Sequence, residues 1–323
     1  MIIAIDETGS FHSGSTEMNF FVAAHIRQRK TFYKQKKFCF KEWENTLPKN
    51  IKNSKGEFKS NKLSNERLTE FVRKVVCSHY YIGITPLAIR PSKNDETLIE
   101  KYKSVQHIGI IEGVKFYKNK GRDKNAKLYE DFGNWHKKLS YVQFLKIFML
   151  GACISSALVN TVGHSISGGY DNELTRIKIL IDKDFIKEPQ HNIFWRELLR
   201  NQIYAHSKKS PMPVLKTWLK NDHPFLKKYM SKGYIDLNEL FWKHTSFVLS
   251  HKNFEIRIAD TINTVLNRYF NKKECNRAYK MLKKCFLQHG KVTELLLNDF
   301  DLDKWEYNPN DNPWLNLEAH LSI

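Results

Sequence analysis

The sequence predicts one elaborated α/β domain, and three observations carry that expectation. Two dense apolar runs, Ile2 to Ile5 and Arg176 to Ile181, have the length and branched-residue content of buried strands, and each leads straight into an acid, Asp6 or Asp182. Helix-spaced apolar stripes run over Ser64 to Cys77 and Phe254 to Phe270. No internal repeat or low-complexity linker divides the 323 residues, which are enough for a sizeable core without disulfides or a structural metal.

The elements follow in chain order. Ile2 to Ile5 reads as a central strand with Asp6 at its C-terminal end, bounded by the turn Asp6, Glu7, Thr8, Gly9. Asn19 to Ile26 (NFFVAAHI) is a second strand, joined to the first by a polar loop containing Gly9 and Gly14 as a long-looped hairpin. Ser64 to Cys77 places Leu68, Phe71, Val72, Val75 and Val76 at helical spacing, with Ser64 or Asn65 available as a cap. Tyr80 to Ile89 reads as a strand ending before Pro91. Residues 92 to 138 are lysine-rich, helical around Glu96 to Phe116, and read as an insertion. The apolar stretch Leu139 to Thr161 is long enough to raise the question of a membrane span, but Gln143 and Lys146 lie inside it and an intramembrane Lys is costly, so a buried core helix is expected. A Gly-rich break at Gly163 to Gly169 precedes the strand Arg176 to Ile181, which runs into Asp182. The region of about 186 to 245 is helical but irregular, a second insertion broken by Pro211, Pro213 and Pro224. Ser246 to Leu249 is a short strand. In the helix Phe254 to Phe270, Ile258, Ala259, Ile262, Val265 and Leu266 form the apolar stripe and Asp260 lies beside it.

Composition excludes a disordered chain: 41% of residues are apolar and 27% charged. The 53 Lys and Arg against 34 Asp and Glu give +19 at pH 7. Residues 294 to 323 hold seven acids and one base, −6 in all, which leaves +25 on residues 1 to 293. The expected organisation is therefore a single basic domain over 1–293 and an acidic C-terminal tail over 294–323. Such a body attracts polyanions. Its densest basic stretch, Arg27 to Lys41, has seven Lys or Arg, no acid, and interleaved Phe32, Tyr33, Phe38 and Phe40. Cations for phosphates beside rings for bases suit a nucleic-acid groove, with Arg27, Arg29, Lys30, Lys34, Lys36 and Lys37 as the contacting residues. The competing reading is an amphipathic surface helix whose aromatics face the core and whose lysines are solvated. Five cysteines without a CxxC pair argue against a disulfide framework and a zinc knuckle, and the N-terminus meets a charge too early for a secretory signal, so a cytoplasmic location is expected.

Asp6 and Glu7 after the first strand, Asp182 after a later one and Asp260 on a late helix all sit at the edge of elements that read as buried. A carboxylate there is expensive unless paired, capped or bound to a cation. Several acids converging from distant parts of the chain would form an all-oxygen site suited to Mg²⁺ or Mn²⁺, and on a basic body that points to phosphodiester hydrolysis. Each acid also has a plainer reading: Asp6 as a turn residue, Glu7 facing solvent, Asp182 opening a turn with Lys183, and Asp260 paired with Arg257 or Arg268.

These residues resemble a known family. IIAIDETGSF followed by NFFVAAHI is similar to the opening of the bacterial and phage family called domain of unknown function 3800, ILIDKD resembles its internal strand ending in Asp, and FEIRIADTINTVLNRYF resembles its closing Ala-Asp helix. The resemblance implies a ribonuclease H-like fold, a mixed central sheet flanked by helices, here with helical insertions. It implies that Asp6, Asp182 and Asp260 hold the metal; Glu7 follows as a fourth catalytic member, since the Asp-Glu-x-Gly opening also resembles that of type 2 ribonuclease H. Thr8 stands where Ser is commoner. The lysine-rich 92 to 138 region departs from the family, and Glu57 with Lys59 resembles an acidic-basic motif found before the first helix in such proteins.

None of the 13 histidines falls in a compact metal spacing, and no nucleophile elbow or phosphate-binding glycine loop is present. His244 and His251 flank the short strand before Asp260, which suits either a proton shuttle or a structural role. The expected function is a Mg²⁺- or Mn²⁺-dependent nuclease acting on RNA or DNA, with a role in phage defence or mobile-element biology implied by the family. The alternative is a catalytically inactive nucleic-acid-binding or regulatory protein on the same fold.

Overall fold

A computed structural model describes residues 1–297 apart from 55, 79–80, 184–191, 210–222, 232–233 and 289. Its strands are β1 (Ile2–Thr8), β2 (Asn19–Ile26), β3 (Gly83–Ile89), β4 (Lys178–Asp182), β5 (Met230–Ser231), β6 (Tyr234–Ile235), β7 (Thr245–Val248) and β8 (Thr293–Leu295). Its α-helices are α1 (Lys30–Asn45), α2 (Asn65–Phe71), α3 (Lys93–Asn119), α4 (Asp123–Lys138), α5 (Tyr141–Ser167), α6 (Asn192–Lys209), α7 (Pro224–Tyr229), α8 (Leu237–His244), α9 (Phe254–Lys272) and α10 (Asn276–Leu282).

Six strands form one mixed sheet in the order β7-β4-β1-β2-β3-β8, while β5 and β6 make a separate two-stranded ribbon. β1, β2 and β3 are antiparallel neighbours, and β4 lies parallel to β1 on its other side. The period-2 alternation of strand side chains divides the core in two. Ile3 and Ile5 of β1 join the cluster built on α3, α4, α5, α6 and α8, whereas Ile2 and Ala4 join the cluster built on α1, α2, α9 and α10. The result is a sheet covered by helices on both faces, as its continuous apolar strands require.

Several expectations change at the level of local chemistry. β1 runs two residues past Asp6 before turning. β3 starts at Gly83 and carries Pro86, which has no N–H to give, opposite Val22; residues 79–80 of the expected strand lie outside the described residues. Ser64 caps α2 by accepting from the Arg67 N–H, and the helix then widens into a π-helical turn over Val72–Val76. The lysine-rich region is a pair of helices, α3 and α4, in mutual contact.

No break occurs at Gly163: α5 continues to Ser167, started by a capping box in which Ser140 and Gln143 satisfy each other's backbone groups. This helix is long and apolar enough to cross a membrane, and 72% of its most apolar window is buried within the protein. The segment expected to be an acidic tail begins inside the sheet, where Glu294 pairs with Ala88 in parallel register; 298–323 lie outside the described residues. So do 184–191 and 210–222 of the helical insertion.

The turn leaving β1 depends on Gly9, whose φ of +127° is one that side-chain-bearing residues avoid. A Cβ there would lie 2.1 Å from the Asn19 Oδ1, the same oxygen that accepts the Phe11 N–H. Gly9→Ala is therefore expected to destabilise the fold by roughly 2 kcal/mol or more, read by urea denaturation. An unchanged midpoint would show that the turn relaxes freely.

Candidate functional site

The site forms where the acidic ends of β1 and β4 meet α9. In the parallel pairing Ile5 stands beside Ile181, so Asp6 and Asp182 are the next residues on adjacent strands, whose backbones run about 4.8 Å apart. Both share one face. Asp6 lies opposite Val22, and Asp182 opposite Val248, and these two valines pack into the cluster that also holds Ile256, Ala259 and Ile262 of α9. Burial of that helical stripe turns Asp260, the residue next to Ala259, to the flank of α9 with Thr264 one turn on.

Asp260 has none of the plain partners that its neighbours offered. Arg257 instead pairs with Glu44 on α1, and Arg268 donates to Asn65 Oδ1 and the Asn61 carbonyl. The Asp260 carboxylate accepts from Ser60, whose Oγ lies 2.9 Å from Asp260 Oδ1 and 2.7 Å from Thr264 Oγ1. Ser60 is buried and opens a single 3₁₀ turn against α9. The Glu57–Lys59 pair, with Nζ and Oε2 3.7 Å apart, sits on the same approach, so that motif does come to the site.

The electrostatics of Asp6 and Asp260 are those of buried, crowded acids. Burial holds the Asp6 carboxyl well above the usual carboxylate range, and Asp260, Glu7 and Asp182 push it the same way. Burial also lifts Asp260 to about 6; the Ser60 hydrogen bond, Lys59 and Arg257 oppose that rise and Glu57 adds to it. Among the described residues neither Asp6 nor Asp260 forms an ion pair. Like charges in a partly buried site favour a bound proton or a bound cation.

Glu7 is placed differently from the three aspartates. One residue beyond Asp6 on the same strand, its side chain turns to the opposite face, where Lys146 of α5 donates to Glu7 Oε1 at 3.2 Å. Lys146 also lies over the Phe11 ring, with Nζ 5.2 Å from its centroid. The lysine that marks α5 as a core helix is thus the counter-ion of Glu7. Glu7 reaches the aspartate site as charge, through its effect on Asp6, and not as a neighbour on the same face.

All three donors are hard carboxylate oxygens, the set that suits Mg²⁺ or Mn²⁺ and not thiolate- or imidazole-seeking metals. In donor chemistry Asp6, Asp182 and Asp260 fit such an ion, and the raised proton affinities of Asp6 and Asp260 add to that fit. Among the described residues, however, no three His, Cys, Asp or Glu side chains already stand close enough together to share one ion. The acids share a site but do not form a finished cage.

His244 bonds the Tyr229 hydroxyl, and burial lowers its pKa; His251 lies in a 3₁₀ turn before α9. The basic stretch folds as α1, and two of its six expected contact residues are used internally. Arg27 pairs with Glu173 at 2.9 Å and lies over the rings of Phe32 and Tyr170. Lys36 is only 4% exposed, and its ammonium donates to the carbonyls of Val75 and Val76 and to Ser78, closing the end of the π-helical turn. These two are therefore withdrawn from any nucleic-acid surface, whereas Arg29, Lys30, Lys34 and Lys37 are exposed. Of the interleaved rings, Phe40 is in the core, Phe32 and Tyr33 are half-buried, and Phe38 is exposed. Sequence reasoning missed Ser60 and Lys146 as site residues; the one signal for Ser60 was its place directly after Lys59.

No model of a known protein family matches this chain, and neither a curated protein nor a solved structure does.

A carboxyl whose pKa rises on folding binds its proton more tightly in the native state, so stability falls as pH rises through about 6, the native value for Asp260. Asp260→Asn keeps an acceptor for Ser60 and removes the charge. In EDTA it is expected to stabilise the protein by on the order of 2 kcal/mol at pH 8 and by little at pH 4, read as the difference in melting temperature from wild type. An equal shift at both pH values would remove charge crowding as the cause.

Proposed function

We propose that this chain is a divalent-metal-dependent nuclease of the domain of unknown function 3800 family, hydrolysing phosphodiester bonds on a ribonuclease H-like domain. The observation that carries the reading is the convergence of Asp6, Asp182 and Asp260 on one face of the sheet, with Asp6 and Asp260 lacking any ion-pair partner among the described residues. The first-strand acid, the acid ending a parallel neighbour and the acid on a late helix are the three that the family resemblance implies. The net charge of +19 supports a polyanionic substrate.

In this reading Asp6, Asp182 and Asp260 hold Mg²⁺ or Mn²⁺. The ion supplies charge neutralisation at the phosphoryl oxygens and activation of the attacking water. The chain's own residues prepare the site. Ser60 fixes one carboxylate oxygen of Asp260 and leaves the other free. Asp6, protonated more readily than an ordinary aspartate, loses its proton when a cation arrives, so metal binding strengthens as pH rises. Lys59, about half exposed beside Asp260, stands where it can meet a substrate phosphate. Lys146 neutralises Glu7 across the sheet and limits the negative charge felt at Asp6.

The open spacing of the acids favours one alternative, a nucleic-acid-binding protein without turnover. The two readings separate on single substitutions. Asp6→Asn and Asp182→Asn are each expected to reduce Mg²⁺- or Mn²⁺-dependent cleavage of labelled RNA and DNA at least a thousandfold, with the melting temperature in EDTA not lowered and oligonucleotide affinity nearly unchanged. Cleavage that survives both changes removes these residues from the mechanism. Wild-type protein that binds nucleic acid but never cuts it with either ion is the binder.

A further inference from the structure

The exposed face of α1 is left over once the site has been described. Lys30, Lys34, Lys37 and Lys41 fall at i, i+4, i+7 and i+11, which at 3.6 residues per turn puts them within an arc of about 60°. All four are exposed, and none forms an ion pair with a described residue. Phe38 stands along the edge of this row and is 63% exposed, the most exposed of the large apolar side chains described. The opposite face of the helix is fixed in the core by Phe40 and Trp43.

Position links this face to the acids. α1 packs on the start of α9: Tyr33 donates to Glu255 and packs against Phe254, while Glu44 and Phe40 engage Arg257. Asp260 follows Phe254 by six residues, about 9 Å along α9. α1 therefore lies on the same side of the sheet as Asp6, Asp182 and Asp260.

We infer that the exposed face of α1 is a docking track for single-stranded nucleic acid, with Lys30, Lys34, Lys37 and Lys41 on successive backbone phosphates and Phe38 stacked on an unpaired base. The partner class rests on the nucleic-acid reading above; the track itself does not depend on turnover. Eleven residues of helix span about 16 Å, the length of at most about five phosphates at 3.4 Å per nucleotide. A duplex would meet the lysines but offer Phe38 no open base face, because its bases are already stacked. A membrane surface is disfavoured, since the apolar face of this amphipathic helix is buried within the protein and only Phe38 remains outside. Cations following a backbone beside an aromatic platform are how sequence-tolerant single-strand sites work.

The test is fluorescence anisotropy with labelled 15-nucleotide oligo(U) and oligo(dT), and with a 15-base-pair duplex, across a series of NaCl concentrations. It uses the full chain carrying Asp6→Asn, in EDTA, so that cleavage cannot intrude. Replacing Lys30, Lys34, Lys37 and Lys41 together by Gln is expected to lower the slope of log K against log salt by about 3, at roughly 0.7 per phosphate contact on a single strand. Phe38→Ala is expected to weaken single-strand binding about tenfold, within the range for loss of one stacked base, without changing the slope or duplex affinity. As a control, Lys118→Gln with Lys127→Gln removes two lysines already paired to Glu130 and should leave the slope almost unchanged. The substituted α1 residues are all exposed, so melting temperatures should match the parent. An unchanged slope in the quadruple variant overturns the track, as does a Phe38→Ala loss that is equal on duplex. A protein that binds through α1 yet never cuts with Mg²⁺ or Mn²⁺ keeps the track and loses the enzyme; one that cuts while the quadruple variant binds as before keeps the enzyme and loses the track.

Discussion

Carboxylates of like charge held at one end of a buried sheet are the constraint on which the site depends. Asp6 and Asp182 cannot spread apart, because β1 and β4 are locked in parallel register through Ile5 and Ile181. Asp260 cannot swing away either, because the stripe from Ile256 to Leu266 buries α9 against the same face and Ser60 holds one carboxylate oxygen. Burial without a counter-charge costs free energy that a bound proton or a cation relieves. The raised proton affinities of Asp6 and Asp260 are one form of that relief.

The two faces of the sheet settle their charge in different ways. On the α5 side, Glu7 has Lys146 and the balance is internal. On the α9 side, the nearby arginines are committed elsewhere, Arg257 to Glu44 and Arg268 to Asn65 and Asn61, so Asp260 forms no ion pair with them. The same helical layer carries the lysines of α1 on its outside. An acidic cluster and a basic helical face thus lie on the same side of the sheet.

Much of this arrangement was legible in the sequence, and what was not has identifiable causes. Asp6, Asp182 and Asp260 stand out because each directly follows or flanks an apolar run, and strand and helix periods place such residues at element edges. Glu7 was grouped with them by adjacency, although strand alternation sends neighbours to opposite faces; the expectation that β1 ended at Asp6 hid that rule. Lys36 was counted as a surface cation, yet it precedes Phe40 and Trp43 at i+4 and i+7 and so shares their buried face. Its ammonium is tolerated there only because Val75, Val76 and Ser78 supply acceptors from a distant segment, which no local pattern reveals. Ser60 was invisible for the same reason: its partner is 200 residues away. Gly163 looked like a break, but the apolar packing of α5 carries one glycine through without interruption.

We propose that Asp6, Asp182 and Asp260, from three separate elements, hold one cation or an adjacent pair. The most direct measurement is an anomalous difference map from crystals of the full chain soaked in Mn²⁺. The account expects a peak in contact with Asp6 and Asp260, with Asp182 within reach of the same ion or of a second one beside it, and no such peak in Asp6→Asn crystals. A map with no density between these side chains, or with Mn²⁺ bound only elsewhere, would contradict it.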